Sequence, residues 1–347
     1  MHYYTEDGQT FVSKLISLRY ARQTKQRLFF YYHDDVYSKL NWSLEPPQSL
    51  QELYKNQAQR IRDNYDYVIL AFSGGYDSSN ILETFHYNNI KLDKIVTVGA
   101  LKQDSEFGVD DNHNGELYHN VFPYTKELGL DSITQVLDYT DYFDTVDNFS
   151  LSMYNENWVE EVGAWFSPHH WFWRDIERYV VPKEWRDKKV ALIFGKDKPS
   201  LYFDDTDRGF RFTDTGCLGY TDFGKQNNSS MTRINFYWDP DNTDILVKQL
   251  HVLKRLHDIN SYIGFNSLMG VQKLNSIDIN NIVYDLKRPI LFKSLKSKDN
   301  ILSIRDNYIK KKKNSDIFDF FLSGIKKIDR EVGLDSMRTI TTRFYKV

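Results

Sequence analysis

One short segment strongly restricts how this chain can fold: an apolar run followed by a turn rich in glycine and serine. The apolar run spans residues 67–72, and the turn, residues 73–79, reads SGGYDSS. Residues 80–87 have a pattern typical of a helix. A buried strand that leads through such a turn into a helix can hold phosphate. Glycines let backbone N–H groups approach an anion, and a helix N-terminus attracts negative charge.

Three better-known motifs do not fit this turn. The chain contains no G-x-x-x-x-G-K-[ST] segment, which excludes a Walker A loop. The turn also lacks the G-x-G-x-x-G spacing of a dinucleotide fingerprint. Ala71 stands where a hydrolase nucleophile elbow, G-x-S-x-G, requires its first glycine. The pattern that remains is S-G-G-x-D-S.

This pattern resembles the PP-loop of the N-type ATP pyrophosphatases. That superfamily includes asparagine synthetase, GMP synthetase, NAD synthetase and the tRNA-lysidine and thiolation enzymes. The resemblance implies that the loop binds the pyrophosphate part of ATP, and that a substrate attacks the α-phosphate to give an adenylate and pyrophosphate. ATP and Mg²⁺ are therefore the expected cofactors. The alternative is a glycine- and serine-rich turn without a ligand.

The resemblance implies a nucleotide site built from the loop and from the end of the next strand. Backbone N–H groups of the loop would hold pyrophosphate, and the second strand would lie near adenine. Asp77 would either brace the loop or assist the metal. The expected ATP-binding residues are Ser73, Gly74, Gly75, Asp77, Ser78, Ser79, Val98 and Gly99.

A second loop is expected at the same site. It is residues 195–199, GKDKP, and it follows an apolar strand pattern at 190–194. The second loop of asparagine synthetase reads S-G-E-G-x-D-E, so only the position and the first glycine match. A lysine here would stabilise the charge of leaving pyrophosphate. We expect Lys198 and Lys196 to be catalytic and Asp197 to join Asp77 as a Mg²⁺ ligand. A solvated turn is the alternative.

Apolar strand patterns alternate with helical patterns along the middle of the chain. Strands are predicted at 94–98, 133–137 and 190–194, with helices at 112–128 and 168–179. This alternation predicts a parallel sheet covered on both faces, with ligands outside the carboxyl ends of its strands. We expect an α/β fold with a doubly wound, mostly parallel, Rossmann-like sheet. The resemblance implies the adenine nucleotide alpha hydrolase type.

Three regions are expected along the chain. They are an N-terminal strand and helix segment at 1–60, a PP-loop ATP-binding α/β domain at 61–205, and a hairpin with a mostly helical C-terminal region at 206–347. Specific expectations are strands at 28–32 and 234–238, a helix from Leu50 to Asn64 capped by Ser49, a hairpin of 201–203 with 210–212, and a helical pattern from Asp244. The 1–60 segment is too short for a glutaminase domain, and position 2 is His2 rather than cysteine. Nitrogen would come from an amine, from ammonia or from a partner.

Composition limits the possible partners. The net charge of −3 gives no global electrostatic argument for nucleic acid, which stays possible but is not indicated. The single cysteine, Cys217, excludes an intrachain disulfide and an internal C-x-x-C metal site. The chain shows no signal peptide and no apolar run of the roughly 18 residues that a membrane span needs. We expect a cytoplasmic protein with a small-molecule substrate and no membrane partner; the sequence does not indicate an oligomeric state.

The leading hypothesis is an AMP-forming ligase that adenylates a carboxylate or carbonyl oxygen and passes it to an amine or ammonia. One alternative is a PP-loop enzyme that modifies a nucleobase or tRNA. Another is a nucleotide-binding module without turnover.

Some further residues are weaker candidates for the site. They are Asp104 and Glu106 for Mg²⁺ or ribose, His169 and His170 for the substrate, and Lys310 to Lys313 for a polyanion. Packing or a solvated surface is the simpler interpretation of each.

Overall fold

The N-terminal part of the structure is a small antiparallel sheet with helices beside it. The structure is a computed structural model that describes residues 2–99, 101, 114–138, 176–195, 201–203, 208–212, 214, 231–261, 282–288, 290, 330 and 340–346. The first elements are β1 (His2–Thr5), β2 (Thr10–Phe11), α1 (Lys14–Thr24), β3 (Leu28–Tyr31), α2 (Asp34–Tyr37) and α3 (Leu50–Asn64). The strands pair in the order β2-β1-β3. The strand predicted at 28–32 and the helix predicted from Leu50 are confirmed.

Serine side chains begin two of these helices. The Ser13 hydroxyl accepts a hydrogen bond from the backbone N–H of Ile16 at 3.2 Å, at the start of α1. Ser49 and Glu52 form a capping box at the start of α3: each side chain accepts from the other residue's backbone N–H, at 3.2 and 2.8 Å. Such caps satisfy first-turn amides that have no partner within the helix.

A parallel sheet occupies the centre of the described chain. Its elements and those that follow are β4 (Tyr67–Ala71), α4 (Tyr76–Tyr87), β5 (Lys94–Gly99), α5 (Phe122–Glu127), β6 (Thr134–Asp138), α6 (Glu177–Val180), β7 (Val190–Phe194), β8 (Leu201–Phe203), β9 (Arg208–Phe210), β10 (Met231–Asn235), α7 (Asp244–Ser261) and β11 (Tyr345–Lys346). Five of these strands pair in parallel in the order β6-β5-β4-β7-β10. The predicted α/β fold with a parallel, Rossmann-like sheet is confirmed.

The direction of winding reverses between β4 and β7. From β4 the chain adds β5 and then β6 on one side, and it later adds β7 and β10 on the other. Ligands of doubly wound sheets bind in the crevice that such a reversal leaves at the carboxyl ends of the strands. The loops that follow β4 and β7 therefore begin side by side, at the usual ligand position of this fold.

The sheet is buried because helices cover it. All five residues of β7 are buried, as are Val68 to Ala71 of β4. Near-continuous apolar strands of this kind are typical of parallel sheets covered on both faces. The sheet also extends past residue 205, where the sequence places the end of the α/β domain, because Met231 to Asn235 pair with Val190 to Phe194.

The end of the described chain is extended and joins the predicted hairpin. β8 and β9 pair as expected, although the second strand lies at 208–210 rather than 210–212. β11 adds to β9, and the backbone N–H of Phe30 in β3 donates to the carbonyl of Thr341 at 2.9 Å. None of the described helices is both long enough and apolar enough to cross a membrane.

Candidate nucleotide site

Helix α4 begins at Tyr76, four residues before the predicted start at Asn80. Asp77, Ser78 and Ser79 therefore lie in its first turn rather than in a loop. Asp and Ser side chains compete for backbone hydrogen bonds in helix interiors, so the sequence pattern favours a turn here. The same residues are well tolerated at the start of a helix. Gly75 is the N-cap residue and offers no capping side chain, in contrast to Ser13 of α1 and Ser49 of α3.

Two serine hydroxyls close the turn. The Ser78 hydroxyl accepts from the backbone N–H of Ser73 at 3.2 Å and lies 3.2 Å from the carbonyl oxygen of Gly75. The hydroxyls of Ser73 and Ser78 are 3.1 Å apart, and the N–H of Gly75 points to the Ser73 hydroxyl at 3.3 Å. Ser78 is buried and Ser73 is exposed. Ser78 thus braces the turn, whereas Ser73 lies at its open side.

The two glycines of the turn have different reasons to be glycine. Gly74 has a φ of +74°, and a Cβ there would lie 2.8 Å from Cβ of Asn120 and 3.1 Å from Cγ2 of Val121. Gly74 is therefore required by backbone conformation and by packing against the helical segment after β5. Among the described residues, a Cβ on Gly75 would meet only the Ser73 hydroxyl, at 3.4 Å. The space beside Gly75 is where an anion can approach the backbone.

Gly195, the first glycine of the second loop, packs directly against the turn. A Cβ there would lie 2.8 Å from the backbone nitrogen of Ser78 and 2.9 Å from the carbonyl carbon of Asp77. The end of β7 and the first turn of α4 are thus in backbone contact. The two loops that the sequence assigns to one site do start together, as the reversal of winding requires.

The carboxylate of Asp77 is held by a tyrosine from a distant part of the chain. The Tyr284 hydroxyl donates a hydrogen bond to Oδ1 of Asp77. The Tyr237 hydroxyl donates to the backbone carbonyl of the same residue at 2.7 Å and accepts from the Asn80 side-chain amide at 2.9 Å. Asp77 is therefore held through both its side chain and its backbone carbonyl, and the role expected for it, bracing the loop by accepting backbone hydrogen bonds or assisting the metal, stays a prediction.

These tyrosines keep their protons. Burial, followed by the nearby Asp77 carboxylate, raises the pKa of Tyr284 well above its ordinary value. Burial, followed by Tyr54 and Asp77, does the same to the pKa of Tyr237. Both hydroxyls are thus donors throughout the physiological pH range. Tyr54 completes the cluster with a ring centroid 5.6 Å from that of Tyr237.

One buried polar atom beside the turn lacks a partner. The Ser79 hydroxyl is fully buried and makes no hydrogen bond with any residue in the described part of the chain. A buried hydroxyl without a partner is unfavourable by about 1–3 kcal/mol, so such atoms tend to mark a missing ligand or water.

Val98 and Gly99 end the neighbouring strand at the same edge of the sheet. They pair with Leu137 and Asp138 of β6. A Cβ on Gly99 would lie 3.1 Å from Cδ2 of Leu117, so this glycine is close-packed. Val98 is half-buried. Their position agrees with the expected neighbourhood of the adenine, and their contact with a nucleotide stays a prediction.

Several predicted site residues lie outside the described residues. These are Lys196, Asp197 and Lys198 of the second loop, and the weaker candidates Asp104, Glu106, His169, His170 and Lys310 to Lys313. Of the helix predicted from Pro168 to Tyr179, residues 168–175 lie outside the described residues, and α6 (Glu177–Val180) overlaps its predicted end. Within the described ranges no three His, Cys, Asp or Glu side chains cluster as a metal site. The Mg²⁺ ligands Asp77 and Asp197 therefore stay predictions.

Sequence reasoning missed the residues that position the turn from a distance. Tyr237 and Tyr284 lie 160 and 207 residues from Asp77. Neither stands in a recognisable motif. No sequence signal pointed to Tyr237, because it lies inside the strand predicted at 234–238. The structure places that strand, β10, at Met231–Asn235, so that Tyr237 follows it at the edge of the sheet where ligands bind.

Comparison with known proteins finds matches of low similarity among solved structures. No protein-family model matches the chain, and no curated protein matches it significantly. A solved structure that is similar to this chain is an NH3-dependent NAD synthetase from Campylobacter jejuni subsp. jejuni NCTC 11168 in complex with the nitrate ion. Its sequence identity is 11% and its TM-score 0.33, over 82% of this chain and 96% of the other. At so low a TM-score the likeness adds no support, and the fold class rests on the strand order described above.

Proposed function

We propose that the protein binds Mg-ATP at residues 73–79 and transfers AMP to a substrate. The adenylated group would be a carboxylate or carbonyl oxygen, pyrophosphate would leave, and an amine or ammonia would take up the activated group. The S-G-G-x-D-S pattern supports ATP, and the position of the loop at the reversal of winding supports a ligand there. We also propose a small-molecule substrate and a cytoplasmic location.

One observation carries this proposal further than the motif alone. The backbone of Gly195 lies against the first turn of α4, so a second loop leaves β7 at the edge of the phosphate cradle. A cradle formed by backbone N–H groups binds pyrophosphate in its ground state. Catalysis also needs positive charge where the leaving group gains negative charge. Lys196 and Lys198, which follow Gly195 closely in the sequence, would supply that charge.

The roles of the described residues follow from their contacts. The N–H groups at the start of α4 would face the pyrophosphate, and the open side of Gly75 would let it approach. Ser78 would keep the turn closed, and Ser73 would offer an exposed hydroxyl. Mg²⁺, when bound with ATP, would neutralise phosphate charge. The protein would act by orientation and charge stabilisation rather than by a covalent nucleophile.

Two alternatives keep the nucleotide site and change the chemistry. The substrate could be a nucleobase or tRNA, as in the deazaguanine- and lysidine-forming members of the superfamily that the loop resembles. The net charge of −3 makes a small base the better candidate of the two. A binding module without turnover is the third candidate, and the departure of residues 195–199 from S-G-E-G-x-D-E favours it.

The test is a product analysis. Purified protein is incubated with Mg-ATP and pooled carboxylic acids, amines and nucleobases, and the products are read by mass spectrometry. The proposal predicts AMP, pyrophosphate and an adenylated or amidated metabolite. ADP and phosphate formed with a true substrate would place the protein in another phosphoryl-transfer class. Binding of ATP without turnover on any pool would favour the binding module.

A further inference from the structure

Residues 282–288 lie along α4 and contact it at two levels. Tyr284 donates to the Asp77 carboxylate in the first turn. The backbone N–H of Lys287 points at both carboxylate oxygens of Glu83, each at 3.0 Å. Six residues separate these two acceptors, which is about 9 Å along a helix. We call residues 282–288 the strap.

The strap is itself anchored on both sides of α4. The Tyr54 hydroxyl of α3 donates to the carbonyl of Val283 at 3.1 Å. At the other end, Arg288 pairs with Glu127 of α5 at 3.2 Å and lies over the ring of Tyr124 at 5.1 Å from its centroid. Two neighbouring helices thus hold the strap while it holds α4.

The contact at Asp77 lies in the first turn of α4, the part of the candidate nucleotide site where a backbone shift would matter most. The first turn of α4 carries the amides that would face pyrophosphate. Displacing preorganised donors by about 1 Å strongly reduces the stabilisation that they give to a bound charge. A carboxylate beside an anion site repels the anion, and a hydrogen bond donated to that carboxylate offsets part of its charge and fixes its orientation. The buried Tyr284 hydroxyl supplies this donor to Asp77.

We infer that the strap positions the PP-loop: Tyr284 holds Asp77, and through it the first turn of α4, in the geometry that binds the pyrophosphate part of ATP. This inference rests on the proposed function. Tyr284 is a positioning residue that acts through Asp77. It does not contact the nucleotide in this account.

The first test compares two tyrosine-to-phenylalanine variants by calorimetry with Mg-ATP and with adenosine. Tyr284→Phe removes the donor to Asp77. Tyr4→Phe is the matched control, because the Tyr4 hydroxyl also donates to a carboxylate, that of Asp34 at 2.7 Å, and neither residue belongs to the strap or to α4. We expect Tyr284→Phe to weaken Mg-ATP binding about tenfold, the scale of one hydrogen bond to a charged group, with adenosine affinity within about twofold. Tyr4→Phe should bind both ligands within about twofold of the wild type.

A double-mutant cycle shows whether Tyr284 acts through Asp77. In an Asp77→Ala background, Tyr284→Phe should change Mg-ATP affinity less than about twofold, since the shared contact is already gone. An undiminished tenfold effect in that background would overturn the route through Asp77. Equal loss of ATP and adenosine binding in Tyr284→Phe would indicate general loosening and overturn the inference.

The outcomes separate this inference from the proposed function. Wild-type protein that binds no Mg-ATP would remove both. Wild-type protein that binds Mg-ATP, together with a folded Tyr284→Phe variant of unchanged affinity, would overturn the strap's role alone. Circular dichroism of each variant establishes that the compared proteins are folded.

Discussion

Gly195 and Ser78 are in backbone contact: a Cβ on Gly195 would lie 2.8 Å from the amide nitrogen of Ser78. Real Cβ atoms do not come so close to a backbone atom, so the end of β7 and the start of α4 can approach this closely only with glycine at 195. This single contact joins the two loops of the candidate site.

We therefore expect Gly195→Ala to force the two loops apart. Overpacking of this kind lowers the free energy of unfolding by about 1–3 kcal/mol, and the displaced first turn of α4 should bind ATP more weakly. Urea unfolding and calorimetry measure the two effects. Gly75→Ala is the control for stability, because the nearest atom to its Cβ is 3.4 Å away. Wild-type stability of Gly195→Ala would contradict the close contact.

The two glycines of the turn should respond differently to substitution. Gly74→Ala places a side chain at positive φ and against Asn120, and we expect it to lose about 2–4 kcal/mol of stability. Gly75→Val should fold, because among the described residues no atom lies closer than 3.4 Å to its Cβ, yet bind ATP at least about tenfold more weakly. A folded Gly75→Val protein with unchanged ATP affinity would remove the basis of the nucleotide site.

The lysines of the second loop give a test of catalysis rather than binding. If Lys198 contacts the leaving pyrophosphate, Lys198→Ala should lower kcat/KM by roughly 10²–10³, the scale of one preorganised donor, with little change in stability. Lys196→Ala should lower it less. Steady-state pyrophosphate release measures both. Near-wild-type activity in both variants would mean that residues 195–199 are a plain turn, and that positive charge comes from elsewhere, with Arg174, Arg208 and Lys225 as the next candidates.

The ion pairs of Glu45 should make a small, pH-dependent contribution to stability. Its carboxylate lies 2.6 Å from Arg255 and 2.8 Å from Lys248. The hydrogen bond from Arg255, followed by that from Lys248, lowers the pKa of Glu45 from 4.5 to about 2, against the opposing effect of burial. Because the folded-state pKa is depressed, the stabilisation is fully present above pH 4.5 and is lost as the pH falls toward 2.

Glu45→Gln should accordingly cost up to about 1 kcal/mol at pH 7, since the pair is partly solvated and screened. The difference from the wild type should shrink at pH 3 and should also shrink in 1 M salt, where the Debye length is about 3 Å. Urea unfolding at these conditions measures it. A cost that is the same at pH 7 and pH 3 would show that packing, not charge, is responsible.

Local signals in the sequence were sufficient for the elements that depend on neighbouring residues. Ser49 is predicted to cap a helix from Leu50, and α3 begins there, with Glu52 completing a capping box. The apolar run at 190–194 is β7 with identical bounds. A cap acts within a few residues of the helix end, and a continuous apolar run indicates a buried strand by composition alone.

What the sequence determined by itself is the presence of a strand, a turn rich in glycine and serine and a helix, and the alternation that makes the sheet parallel. Only the tertiary structure decided what surrounds the residues of the turn. Gly74 packs against Asn120, Gly75 has no described atom closer than 3.4 Å to its Cβ position, and Asp77 is held by Tyr284. These contacts join residues far apart in the chain, and they depend on the order of strands and on side-chain packing. Periodicity and local spacing carry no information about either.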